Sequence, residues 1–110
     1  MIEKTLAELE ARLQQAESVN EKTRDELLGL VETLRGEVGA LSKTHSDEAQ
    51  SIAGFTTISA HEALRGGRNP ELVRHSLSGL EASVSGFEKS HPKLVEVVNR
   101  ICTALSNMGI

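Results

Sequence analysis

Histidines stand at positions 45, 61, 75 and 91, and imidazole is the side chain best suited to proton transfer and metal ligation near neutral pH. Glu88 and His91 form a Glu-x-x-His unit, a spacing that on a helix sets a carboxylate and an imidazole on one face. Di-iron bundles use that unit on two helices and take a further carboxylate from each of two others. No second Glu-x-x-His occurs here. Glu88 and His91 therefore stay as ligand candidates for an alternative reading only, and no metal or cofactor is expected. His91 itself reads as a residue at a helix break, its ring packing or capping locally. Glu71 and His75 lie four apart and Glu71 precedes Arg74 by three, which suits an exposed first-turn ion pair. His61 and Glu62 are neighbours that point to different faces of a helix, so they make no acid–base pair. Cys102 follows the seam residue Ile101 in mid-helix, where a free cysteine acts as a small hydrophobe; a reactive thiol wants a base or a helix N-terminus. Arg65 and Arg68 flank Gly66-Gly67 and could face a phosphate. No strand precedes the glycines and the glycine-rich loop is incomplete, so a helix connection is the better reading. No serine, histidine and aspartate set stands out, and no enzyme is expected.

The elements that would hold these residues are helices. Ile2, Leu6, Leu9, Leu13 and Ala16 step by four and three, as one helical face requires. Ser18 with Glu21 fits a capping box, and Asn20 is a second candidate cap. Leu27, Val31, Leu34, Val38 and Leu41 continue with the narrow stripe of a coiled-coil seam. A single helix over 2–42 would be about 60 Å long; polar Asn20 and Thr23 interrupt the seam, so a hairpin is expected. Ser46 or Asp47 caps the next element. Residues 48–65 show a weak helical face of Ile52, Ala53, Thr56, Ala60, Ala63 and Leu64, with Phe55 and Ile58 off it. Residues 51–59 are β-branched enough to pass for a strand, but a lone strand has nothing to pair with. Gly66-Gly67-Arg68-Asn69-Pro70 ends one helix and starts another, with Asn69 as cap and Pro70 in the first turn. From Val73 to Met108 one heptad phase runs through Leu77, Leu80, Val84, Phe87, His91, Leu94, Val98, Ile101 and Leu105. Pro92 interrupts it, so a break or sharp kink is expected near 90–92, capped by Ser90 or His91. Gly109 is expected just past the last turn, with Ile110 folding back.

A second stripe, Ser78, Gly79, Ala82, Ser85 and Gly86, gathers small residues away from this seam. Interior glycines each cost about 1 kcal/mol against alanine, so a second helix is expected to pack there, either the 48–65 segment or a symmetry mate.

The 110 residues suffice for one domain, with a net charge of −4, no Trp or Tyr, two Phe and one Cys. Few aromatics leave Leu, Val, Ile and Ala to form the core. An acidic balance does not favour nucleic acid, one cysteine excludes an internal disulfide, and no stretch approaches a membrane span. The opening Met1-Ile2-Glu3-Lys4 lacks the apolar region of a signal peptide. A cytoplasmic protein with neither nucleic-acid nor membrane partners is expected.

The string Gly86-Phe87-Glu88-Lys89-Ser90-His91-Pro92-Lys93-Leu94, followed by Leu105-Ser106-Asn107-Met108-Gly109-Ile110, resembles a bacterial family, domain-of-unknown-function family 4404. Its pattern is Phe-Glu-x-Ser-His-Pro and a terminal Asn-x-Gly-Ile. The resemblance extends over residues 1–42 and 70–110, and 43–69 look like an addition. It implies that Phe87, Glu88, Ser90, His91, Pro92 and Gly109 occupy signature positions, and it implies no activity.

The sequence thus predicts an all-α chain of antiparallel helical hairpins, a small bundle with coiled-coil-like seams. A hairpin over 1–42, an extra helix with its linkers over 43–69 and a helix pair over 70–110 broken near Pro92 make one domain. Function is expected to be that of a non-catalytic, self-associating structural or protein-interaction protein. The alternative is a small-molecule or metal-binding bundle using Glu88 and His91. A dimer is favoured, with room for an unidentified protein partner. The 73–108 seam is too long for the rest of the chain to cover, so Leu80, Val84, Phe87, Leu94, Val98, Ile101 and Leu105 are the expected interface.

Overall fold

Asn20 has extended backbone and its side chain accepts the Thr23 N–H at 2.8 Å, which starts a helix as the sequence predicts. In the computed structural model, which describes residues 2–16 and 19–109, five helices follow one another: α1 Ile2–Gln15, α2 Glu21–Leu41, α3 Ser46–Leu64, α4 Pro70–Ser83 and α5 Pro92–Gly109. Ser18, the other candidate cap, lies outside the described residues. The Arg24 guanidinium ties the joint before α2 by donating to the carbonyls of Ala16 and Val19, so the hairpin forms and no continuous helix does. Asn69 caps α4 by accepting the Glu71 N–H at 2.9 Å, with Pro70 in the first turn. Neither Ser46 nor Asp47 caps α3. The flanking residue is His45, whose side chain makes no capping bond, and Asp47 and Glu48 favour the positive end of the helix from inside its first turn.

The 48–65 segment is helical and holds the middle of the molecule. α3 touches all four other helices, whereas α1 meets only α2 and α3. Its buried side chains are mostly small: Ala49, Ala53, Thr56, Ser59, Ala60 and Ala63, with Ile52. Small residues let four neighbours approach one axis closely. The expectation that the 73–108 seam is too long for the rest of the chain to cover is therefore corrected. Val84, Leu94, Val98, Ile101, Leu80 and Leu105 are each no more than 3% exposed within the single chain. Phe87 is partly buried against the same core. The buried faces are also wider than a strict seam. α2 adds Leu30 to the predicted stripe, and α5 adds Val97, Cys102 and Ala104, because each helix lies between several neighbours.

α4 is shorter than the heptad phase suggests. It ends at Ser83, and residues 84–91 are a chain of turns in which Phe87 N–H donates to Val84 O and His91 N–H to Phe87 O. The cause is Gly86, whose φ of +98° is a conformation that side-chain-bearing residues rarely adopt. Buried Val84 still anchors the segment, which explains why the apolar phase survives a lost helix. The small stripe is likewise corrected. Ser78, Ala82, Ser85 and Gly86 face solvent, and only Gly79 is a contact: a Cβ there would lie 2.6 Å from Phe55 Cδ1 of α3. α5 begins at Pro92, where the sequence places a break, and His91 O accepts the Val95 N–H at 3.3 Å. α5 includes Gly109, expected to lie just beyond it; Ile110 is outside the described residues. The radius of gyration is 12.9 Å, the size of a self-contained domain of this length.

Candidate functional site

Two chain breaks meet at one end of the bundle. His45, at the joint between α2 and α3, and Phe87 and His91, in the 84–91 turns, bring three rings together. Centroids are 5.5 Å apart for His45–Phe87, 5.5 Å for Phe87–His91 and 6.3 Å for His45–His91, each pair edge to face. Such geometry suits the quadrupole of aromatic rings. Each imidazole is held by the hydroxyl before it in sequence: His45 Nδ1 lies 2.7 Å from Thr44 Oγ1, and His91 Nδ1 lies 2.9 Å from Ser90 Oγ. The repeated hydroxyl–His dipeptide is visible in the sequence. What cannot be read there is that helix packing brings the two copies together, and His45 was missed for that reason.

Glu88 does not join this cluster. Its two carboxylate oxygens accept the Gly86 N–H at 2.9 and 3.1 Å, which fixes the turn that ends α4. Because Glu88 and His91 lie in turns and not on a helix, the shared face expected of Glu-x-x-His is absent. Among the described residues no three His, Cys, Asp or Glu side chains gather around a common centre.

Other candidates serve their own helices. Glu71 pairs with Arg74 at 2.5 Å and with His75 at 3.5 Å, all exposed. Arg65 pairs with the Glu62 carboxylate at 2.8 Å, and Arg68 donates to Ala63 O at 3.3 Å, a carbonyl in the last turn of α3. His61 accepts from the Arg12 guanidinium through Nδ1 at 3.1 Å, which links α3 to α1. A groove of about 600 Å³ runs between α4 and α5, lined by Val73, Leu77, Glu81, Cys102, Ser106 and Asn107 among others. Cys102 forms part of its wall, and burial, aided by the Glu81 carboxylate, pushes its thiol up to about 11. That environment disfavours a thiolate.

The large exposed apolar side chains among the described residues are Phe55, Ile58 and Leu72, at 37%, 50% and 43%. All three belong to the α3–α4 hairpin. Sequence reasoning marks Phe55 and Ile58 as off the buried face but gives them no role. No helix among the described residues is long and apolar enough to cross a membrane.

Fold and site together define a small α-helical bundle in which one small-residue helix meets the other four, with an aromatic–imidazole cluster at one end. The chain belongs to the family described as domain of unknown function DUF4404, whose model matches residues 29–110. The match includes residues 43–69, set apart above as an addition, and stops short of the first hairpin's opening helix. No curated protein and no solved structure matches the chain.

Proposed function

We propose that this is a non-catalytic helical protein that self-associates through the outer face of the α3–α4 hairpin. The observation that carries this reading is that the large exposed apolar side chains among the described residues, Phe55, Ile58 and Leu72, each more than a third exposed, all lie on one hairpin. The C-terminal seam, expected to be the interface, is used up inside the chain, so a second copy has to meet another surface. Symmetric pairing of one patch with itself is the commonest solution. The unreactive setting of Cys102 supports a non-catalytic role, and a single free thiol suits a cytoplasmic protein. Substituting Ile58→Glu tests the interface. It should leave circular dichroism and melting temperature nearly unchanged while lowering the associated mass measured by sedimentation. An Ile58→Glu protein that sediments like the parent would contradict the reading.

A further inference from the structure

We propose that His45 and His91 form a binding site for one divalent transition-metal ion of the class that prefers imidazole, such as zinc or nickel. The two rings come from separate joints of the fold, yet their centroids lie 6.3 Å apart. Both present the same nitrogen. Nδ1 of each is engaged by the preceding hydroxyl, Thr44 at 2.7 Å and Ser90 at 2.9 Å, which leaves Nε2 as the available ring atom. An outer hydrogen bond on the non-ligating nitrogen is the arrangement that orients metal-binding histidines and sets their tautomer. With Nδ1–H donating to the hydroxyl, Nε2 carries the lone pair that a metal needs. At metal–nitrogen distances of 2.0–2.1 Å, two imidazoles on one ion have centroids roughly 5–6 Å apart. A side-chain adjustment of about 1 Å or less reaches that range. Phe87 packs edge to face against both rings, its centroid 5.5 Å from each. His45 and His91 are partly exposed, so an ion can enter and water can complete its coordination. Glu88 is held on the Gly86 N–H and is not one of the ligands. A bound ion would tie the joint between α2 and α3 to the turns before α5.

Calorimetric titration of the tag-free chain with zinc and with nickel tests the site. One ion per chain at micromolar dissociation constant is expected. His45→Asn and His91→Asn should each weaken binding at least tenfold, and His75→Asn and Cys102→Ala should leave it unchanged. A millimolar constant for the parent, or His45→Asn binding as the parent does, would overturn the proposal. Should either histidine variant lose helix by circular dichroism, the parent protein still decides. Zinc must then shift the ring protons of His45 and His91 in nuclear magnetic resonance spectra; shifts confined to His61 and His75 would refute the site.

Discussion

The Ser59 hydroxyl lies in the C-terminal half of α3, fully buried, with no hydrogen-bond partner among the described residues. Three residues earlier, Thr56 is equally buried, but its hydroxyl donates to Ile52 O at 2.7 Å. An unpaired buried polar group costs about 1–3 kcal/mol, whereas a paired one costs little. Ser59→Ala should therefore stabilise the protein by about 1 kcal/mol, read as a shift in the denaturant midpoint. Cys102 makes a second prediction. Burial, aided by the Glu81 carboxylate, pushes its thiol up to about 11 from the ordinary 9.0. Above pH 9 the unfolded chain loses this proton while the folded chain keeps it, so the unfolded state binds fewer protons and stability falls as pH rises. The loss runs between about pH 9 and 11 and amounts to roughly 1–3 kcal/mol. Denaturation of the parent and of Cys102→Ala at several pH values checks this: the slope specific to the parent should vanish in the variant.

Glycines separate the helices' requirements. Gly36 lies on α2 with open space where a Cβ would go, so Gly36→Ala should add about 0.5–1 kcal/mol through backbone entropy alone. Gly86 also has open space, but its φ is +98°, and Gly86→Ala should cost about 1–2 kcal/mol. Thermal melts of the two variants, moving in opposite directions, test the backbone account of where α4 ends. The same comparison shows what could be read in the chain. Stepwise leucines, the Asn20 cap and the Asn69-Pro70 start give α1, α2 and α4 their places, because those signals are local. The end of α4 at Ser83 escaped, since Val84, Phe87 and His91 keep helical phase while only Gly86 demands a different backbone. The central position of α3 escaped for a different reason. Its alanines look too weak to organise a core, and their value appears only when several helices crowd one axis. The meeting of His45 with His91 depends on packing between distant joints, which no local spacing encodes.

Across the whole molecule, core and proposed interface are separate surfaces with separate signatures. Val98 is fully buried between helices, so Val98→Ala should lower stability by about 1–3 kcal/mol and leave associated mass unchanged. That is the reverse of Ile58→Glu, and equilibrium unfolding with sedimentation on each variant separates the two effects. A small chain with 6288 Å² of accessible surface can devote one hairpin face to a partner without opening its core. Light scattering of the parent chain across a hundredfold dilution tests the central claim most directly. Mass that falls from dimer towards monomer with dilution, at constant helix content, is the predicted result. A monomer at every concentration would contradict self-association and leave the α3–α4 face without the role proposed for it.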